Sequence, residues 1–141
     1  MNENERYTVD TVDTVAVLGY LADRLPSRAD RVFQKAEDGR AELVVPSITL
    51  GETLYTLLKG KEVFGVRIPM EKLSVFYDVV ESRGSLRLED LNLNGWRDVA
   101  SIALPELHDR MIVATHRQLG SKGIVTDDQE ISNLEGTETI W

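Results

Sequence analysis

The sequence contains no cysteine and only two histidines, His108 and His116, among its 141 residues. Disulfide frameworks, thiolate zinc sites and cysteine nucleophiles are therefore excluded, and a histidine-rich zinc site is not available. Any metal ion would have to be bound by oxygen atoms. Aromatic residues make up only 6% of the chain and are scattered, so they do not indicate a stacking platform for single-stranded nucleic acid.

Long apolar runs are also missing. Residues 1–6 include no apolar segment of the kind that a signal peptide needs, and no run approaches the roughly 20 residues that span a bilayer. We therefore expect a cytoplasmic protein with no membrane partner. No Gly-x-x-x-x-Gly-Lys-[Ser/Thr] segment occurs, which excludes a P-loop nucleotide hydrolase.

Acidic residues outnumber basic residues by 24 to 16, which gives a net charge of -8. Excess negative charge disfavours contact with phosphates. When a carboxylate cluster binds divalent cations, however, the bound ions present positive charge to a phosphate. The charge is therefore compatible with a metal-dependent nuclease, and equally with an acidic surface that only aids solubility.

The length and the 42% hydrophobic content suit one domain with its own core. Strand-like and helical segments alternate, which predicts a central, mainly parallel sheet between helical layers. We expect a single three-layer α/β/α domain over residues 1–141. Strands are predicted at residues 7–12, 41–45, 85–88, 123–126 and 137–141, and helices at residues 15–25, 27–39, 49–58, 69–82, 94–103 and 109–119.

Three local features refine this prediction. Ser27 and Asp30 have the spacing of a capping box at the start of the second helix. Asn94 can cap the fifth helix through its side chain. Residues 59–66, which include two glycines, are predicted to form a loop or hinge.

Acidic residues cluster around the predicted strand ends. Asp13 follows the first strand, Asp127 and Asp128 follow the fourth, and Glu52 and Asp109 lie near the amino ends of helices. Open parallel sheets bind ligands beyond the carboxyl ends of their strands, where the strand order reverses. Convergent carboxylates suit Mg²⁺. Without cations they would repel each other by about 4 kcal/mol per pair at roughly 4 Å and an effective dielectric of about 20.

Each acid also has an ordinary structural interpretation. Thr49 and Glu52 fit a capping box, Asp109 can favour a helix amino end, and Asp128 can be a turn residue. Surface acids are usually solvated. The metal hypothesis therefore depends on the set of acids and not on any one of them.

Four segments resemble, in order, the motifs of the PIN-domain ribonuclease family. They are residues 12–21 (VDTVAVLGYL), 44–54 (VVPSITLGETL), 107–115 (LHDRMIVAT) and 123–131 (GIVTDDQEI). The first is a strand ending in Asp-Thr before an apolar helix, the second places a glutamate one turn into a helix, and the fourth is a strand followed by Thr-x-Asp. The resemblance covers nearly the whole chain and implies a PIN-like fold.

This resemblance implies that Asp13, Glu52, Asp109 and Asp128 surround Mg²⁺ or Mn²⁺, with the hydroxyl groups of Thr14 and Thr126 in support. Asp13, Asp109 and Asp128 are the expected ligands, and Glu52 either completes the coordination shell or orients water. The implied activity is hydrolysis of RNA phosphodiester bonds by water that the ion activates.

Short members of the family are similar to the VapC toxins of toxin–antitoxin pairs, which cleave RNA and are silenced by a partner protein. The resemblance thus implies an RNA substrate, an antitoxin partner and a homodimer. For the dimer we expect apolar faces of the third and fourth helices that include Leu54, Leu58, Phe76 and Val80. Cations that could hold RNA are Arg28, Arg31, Lys35, Lys59, Lys61, Arg110 and Arg117. Neither histidine has a carboxylate or serine partner at an informative spacing, so neither is assigned a catalytic role.

Some alternatives remain open. The repeated Val-Asp-Thr offers Asp10 as well as Asp13, and Asp13 is favoured because an apolar helix follows it directly. Thr-x-Asp selects Asp128, but the preceding loop is one residue longer than in the family, so Asp127 remains an alternative ligand. A PIN-like module that binds RNA or protein without cutting, and a phosphate-accepting receiver domain without an evident late lysine, are the competing functions.

Overall fold

The computed structural model describes residues 6–82 and 84–141, in which strands and helices alternate. The strands are β1 (Thr8–Val12), β2 (Ala41–Pro46), β3 (Glu62–Val63), β4 (Val66–Arg67), β5 (Leu86–Glu89), β6 (Ile124–Val125) and β7 (Thr139–Ile140). The helices are α1 (Thr14–Ala22), α2 (Ser27–Glu37), α3 (Ser47–Leu58), α4 (Met70–Ser82), α5 (Leu93–Ser101), α6 (Leu107–Leu119) and α7 (Gln129–Ser132).

Five strands form a parallel sheet in the order β5-β2-β1-β6-β7. From β1 the chain winds through β2 to β5, and it then returns to the other side of β1 for β6 and β7. The strand order therefore reverses between β1 and β6, which is where open α/β sheets bind ligands. Val12 is opposite Val125 in this pair, so Asp13 and Thr126 leave the sheet side by side.

Apolar residues cover both faces of the sheet. The continuous apolar sequence of α1 lies inside the molecule and contributes Ala16, Val17 and Leu18 to the larger core cluster. Consecutive residues of β6 point to opposite faces, so that Val125 joins this cluster while Ile124 joins a second one beneath α5 and α6. The predicted three-layer arrangement with a mainly parallel sheet is confirmed.

Helix ends and one loop differ from the prediction. Pro26, not Ser27, occupies the N-cap of α2, and no side chain caps that helix. The α5 helix is capped by Asn92 and not by Asn94, because the Asn92 side chain accepts from the Gly95 N–H at 2.9 Å.

The predicted loop at residues 59–66 contains a turn between two short strands. Antiparallel β3 and β4 pair there, and the turn between them places both Phe64 and Gly65 at positive φ. The four-residue helix α7 was not predicted. No helix in residues 6–82 or 84–141 is long and apolar enough to cross a bilayer.

Candidate active site

Asp13 is fixed at the carboxyl end of β1. It is the N-cap residue of α1, and its Oδ1 accepts from the Ala16 N–H at 2.8 Å. The Thr126 hydroxyl, which follows β6, donates to the other carboxylate oxygen. The side chain is buried. These two bonds orient the Asp13 carboxylate at the point where the strand order reverses.

Glu52 lies on α3, which starts directly after β2. The Thr49 hydroxyl donates to the Val12 carbonyl at 3.1 Å and so holds the first turn of α3 against the end of β1. Because Pro46 is the N-cap and Thr49 lies within the helix, the capping-box interpretation of Thr49 and Glu52 is wrong. Thr14 donates from its hydroxyl to Glu52 Oε1 at 2.7 Å.

His108 is the second partner of Glu52. Its Nδ1 lies 2.7 Å from Glu52 Oε2, so both carboxylate oxygens have a hydrogen-bonding partner. No sequence pattern indicates this contact, because it joins residues from two different helices. The only feature of the sequence that suggests a role for His108 is its position directly before Asp109.

Asp109 lies in the first turn of α6 and is half-buried. Burial, together with the negative charges of Asp128 and Glu52, raises its pKa to about 6. Burial also raises the pKa of Asp13 to about 7, with repulsion from Asp127 and Asp109 adding to the shift and the hydrogen bonds from Thr126 and Ala16 opposing it. Acids from the other segments therefore raise the pKa values of Asp13 and Asp109.

Asp128 is the N-cap residue of α7. Its Oδ1 accepts from the backbone N–H groups of Glu130 at 2.8 Å and Ile131 at 3.1 Å. Its own N–H donates to the Thr126 hydroxyl oxygen at 3.0 Å. Thr126 thus connects Asp13 with Asp128, and Asp128 has a structural role in addition to its position beside Asp109.

Asp10 lies elsewhere. It is buried, and its Oδ1 accepts from the Gly123 N–H at 3.1 Å. Burial raises its pKa to about 6, and the charges acting on it are those of Lys122, Glu138 and Lys35. Asp109 and Asp128 are not among these charges, whereas Asp109 does act on Asp13, so the structure groups Asp13 with Asp109 and separates Asp10 from them.

Four of the cations proposed to hold RNA are directed towards other groups. Arg110 donates to the backbone carbonyls of Val99, Ala100 and Leu104, which lie before the start of α6. Arg117 pairs with Asp98 at 3.3 Å. The ammonium groups of Lys59 and Lys61 lie 5.5 and 5.2 Å from the centre of the Tyr55 ring. The other three, Arg28, Arg31 and Lys35, line a cavity beside Asp10.

The acids fit a divalent cation by their chemistry. In residues 6–82 and 84–141, no three Asp, Glu or His side chains are close enough to surround one ion as they stand. Carboxylate oxygens are nevertheless the ligands that Mg²⁺ and similar hard cations select. A cation would remove the repulsion that contributes to the raised pKa values of Asp13 and Asp109.

The PIN domain family model matches residues 11–136. The chain belongs to the PIN domain family. The match includes the four segments that carry Asp13, Glu52, Asp109 and Asp128. No curated protein sequence matches the chain.

Solved structures share the fold of this PIN domain at low sequence identity. VapBC2 from Rickettsia felis, bound to a DNA fragment from its promoter, is 14% identical with a TM-score of 0.68, and the match covers 94% of this chain and 99% of the other. VapC20 from Mycobacterium tuberculosis, a sarcin-ricin loop cleaving toxin, is 18% identical with a TM-score of 0.62 and the same coverage of 94% and 99%. A toxin–antitoxin complex from Klebsiella pneumoniae is 13% identical with a TM-score of 0.59, covering 92% and 96%.

Proposed function

We propose that this PIN domain is a metal-dependent endoribonuclease that hydrolyses RNA phosphodiester bonds. The observation that carries the proposal is that acids from four separate segments lie at the point where the strand order reverses, near enough for the charges of Glu52 and Asp128 to act on Asp109 and that of Asp109 to act on Asp13. An acidic cluster of this kind is unfavourable unless a cation neutralises it. The same chemistry serves phosphodiester hydrolysis, in which negative charge develops on the phosphate.

The acids have separate roles in this proposal. Asp13, Asp109 and Asp128 would hold Mg²⁺ or Mn²⁺, with Asp127 as an alternative ligand. The ion would increase the acidity of water and stabilise negative charge on the phosphate and on the leaving oxygen. Glu52 is suited to orient the attacking water, because hydrogen bonds fix both of its oxygens and a general base needs a defined position.

Thr14 and Thr126 support these acids. Thr14 bonds Glu52, and Thr126 bonds both the Asp13 carboxylate and the Asp128 backbone. Each hydroxyl therefore joins segments that are distant in the sequence. Such second contacts reduce the motion of the carboxylates and preserve the geometry on which the reaction depends.

We further propose that the enzyme is the toxin of a toxin–antitoxin pair and acts in the cytoplasm. The similarity in fold to a sarcin-ricin loop cleaving toxin and to a toxin–antitoxin complex supports this assignment and an antitoxin partner. A homodimer is also proposed, through exposed apolar residues of α3 and α4. These residues are Tyr55, Leu58, Val75 and Tyr77. Of the residues that the sequence suggested for this surface, Leu58 is exposed, Phe76 lies in the core, and Leu54 and Val80 are partly buried against that core.

Incubation of the purified protein with mixed RNA tests the activity. We expect cleavage in Mn²⁺ or Mg²⁺, loss of cleavage with a chelator and recovery when excess metal is added. An Asp109→Asn preparation made in parallel should be inactive. Cleavage that survives the chelator and is equal in the variant would come from a contaminant. Binding of RNA without cleavage in either metal would instead support a catalytically silent PIN-like module.

A further inference from the structure

Basic residues line a cleft on the α2 side of the sheet. Arg28, Arg31 and Lys35 are three and four residues apart, which places them on one face of α2. With Arg40 and Lys122 they line a cavity of about 390 Å³. We call this group of five residues the basic cleft. It contains five of the 16 lysine and arginine residues of a chain whose net charge is -8.

The basic cleft lies at the amino ends of the strands, whereas the acids lie at the carboxyl ends. Its wall includes Thr8, the first residue of β1, and Glu138, which comes just before β7. Lys122 likewise precedes β6. The acids follow the carboxyl ends of β1 and β6. Lys35 contacts Thr8 at the start of β1, and Thr8 lies about 17 Å from Asp13 for five residues at about 3.3 Å each. Asp10, on the inner wall of the cavity, lies between them.

The acidic residues in the same cavity neutralise only part of this charge. Asp38 pairs with Arg40 at 3.2 Å, and Lys122 is the cation that most lowers the pKa of the buried Asp10 carboxyl group. Glu138 is the third acid in the cavity. This leaves the α2 stripe of Arg28, Arg31 and Lys35 with a surplus of positive charge.

Most hydrogen-bond donors of this stripe remain available. Lys35 donates to uncharged oxygens, the Arg6 carbonyl and the Thr8 hydroxyl, and makes no ion pair with a described carboxylate, although its charge also lowers the pKa of Asp10. Arg31 donates from Nε to the Ser27 carbonyl at 3.4 Å, which leaves its terminal nitrogens. Arg28 is exposed and has no side-chain hydrogen bond or ion pair with another described residue. Planar guanidinium groups with unused donors are the usual protein partners of phosphate oxygens.

We propose that the basic cleft binds the sugar–phosphate backbone of RNA at a segment several nucleotides away from the cleaved bond. This inference rests on the proposed function, because it identifies where the substrate of the acidic site is held. The acids repel RNA, and four cations elsewhere in the molecule are directed towards other groups. The α2 stripe is a concentration of positive charge that could offset this repulsion.

A matched pair of double variants tests the proposal. Arg28→Gln with Arg31→Gln removes two charges from the basic cleft. Arg24→Gln with Arg97→Gln removes two charges from exposed positions outside it and serves as the control for net charge. All four side chains are exposed, so both variants should fold. Circular dichroism and thermal melting would verify this before any binding is measured.

Binding is measured by fluorescence anisotropy with a labelled single-stranded RNA in a chelator, so that no cleavage occurs. We expect the cleft variant to bind at least about tenfold more weakly than the parent. The slope of log Kd against log salt concentration should also decrease by about 1.4, as the loss of two phosphate contacts predicts for a single strand. The control should bind within about twofold of the parent. Equal binding by the parent and the cleft variant, equal losses in both variants, or no RNA binding by the parent at low salt would each overturn the proposal.

Cleavage assays separate this inference from the proposed function. The cleft variant should cut a long RNA less efficiently, through a higher KM at unchanged kcat. An RNA of about three nucleotides is too short to reach the cleft, so the parent and both variants should cut it equally well. If the parent cuts RNA and the cleft variant binds and cuts normally, the inference fails and the proposed function stands. If the parent binds RNA through the cleft but cuts none, the proposed function fails and the binding surface stands.

Discussion

His108 Nδ1 lies 2.7 Å from Glu52 Oε2, although the two residues are 56 positions apart in the sequence. The contact forms because α3 and α6 both begin near the same edge of the sheet. Thr14 holds the other oxygen of Glu52 at 2.7 Å. Glu52 is thus positioned by two side chains, each from an element that also carries or adjoins a neighbouring acid.

Loss of His108 should therefore reduce turnover. Replacing it with Leu removes the bond to Glu52, and we expect kcat to fall about fivefold to tenfold with little change in KM, as the loss of one positioning hydrogen bond of about 1 kcal/mol or slightly more predicts. His108→Asn keeps a nitrogen donor near the same place and should recover most of the rate. Steady-state kinetics on one RNA would check this; equal rates for the Leu and Asn variants would contradict the positioning role.

Asp109→Asn should abolish metal-dependent RNA cleavage and leave a folded protein. The amide keeps the shape of the side chain but removes a charge from a group whose pKa burial raises to about 6. In the absence of metal the variant should melt no lower than the parent, and higher at about pH 8, because one repulsive charge has gone. Cleavage at more than about a tenth of the parent rate, or a clear loss of thermal stability, would favour a purely structural Asp109.

Asp10→Asn separates the two acids of the Val-Asp-Thr repeat. The variant should retain cleavage, whereas Asp13→Asn should lose it, because Asp13 and not Asp10 lies beside Asp109. The amide oxygen that Asp10→Asn introduces can still accept from the Gly123 N–H, so the variant should fold. An inactive Asp10→Asn together with a fully active Asp13→Asn would show that the first motif starts at the earlier repeat.

The Asp10→Asn substitution should also change how the folding stability depends on pH. Burial raises the pKa of Asp10 from 3.8 to about 6, so the folded protein binds this proton more tightly than the unfolded chain. Its stability contribution is therefore lost as the pH rises from about 4 to 6. We expect Asp10→Asn to be more stable than the parent at about pH 8 by roughly 1–3 kcal/mol, and the gain to vanish below about pH 4. Chemical denaturation of both proteins at the two pH values measures this difference.

Titration of His116 should change the folding stability in the opposite direction, with a loss at low pH. Its Nδ1 lies 2.6 Å from the Ser121 hydroxyl inside the protein, and burial, with the nearby Arg117 charge, lowers its pKa below 6.5. The unfolded chain therefore takes up this proton first, and the folded state loses stability as the pH falls below 6.5. Between about pH 7.5 and 5, His116→Asn should lose less stability than the parent. Parallel pH curves for the two proteins would rule out this titration.

Leu58→Ser should disrupt the proposed homodimer. Leu58 is 67% exposed on α3, beside the exposed Tyr55, so its replacement removes apolar contact area without disturbing the core. Light scattering at micromolar concentration should show a dimer for the parent and a monomer for the variant, with similar melting of the isolated subunit. A parent that is monomeric at low salt would end the dimer proposal.

The sheet and its helices were predictable because each has a strong local pattern. Residues 14–22 are almost uniformly apolar and become the buried α1, and the apolar β2 is covered on both faces. The acids were also identified locally, since each lies in a short motif beside a strand end or a helix start. In the structure Asp109 lies near enough to both Asp13 and Asp128 for their charges to interact, at the carboxyl end of the central β1.

Helix ends and distant side-chain contacts could not be predicted in the same way. Asn92 and Asn94 are both good capping residues, and only the folded backbone decides that Asn92 bonds the Gly95 N–H. The location of Arg28 and Arg31 at the far edge of the sheet depends on how α2 packs. The charge of Arg110 suggested RNA, but its guanidinium group bonds backbone carbonyls, which no sequence pattern shows.

The hydrogen bond between Thr126 and Asp13 joins residues 113 positions apart, and it forms only after β6 has paired with β1. During synthesis at about 5–20 residues per second, Asp13 would wait roughly 6–23 seconds for its partner. The central strand, β2 and β5 can associate in that interval, but the segment that carries Asp128 has not yet been made. A nascent chain that has not yet been translated past β6 therefore lacks the complete set of acids, and the proposed cleavage of RNA would become possible only after that segment has been made.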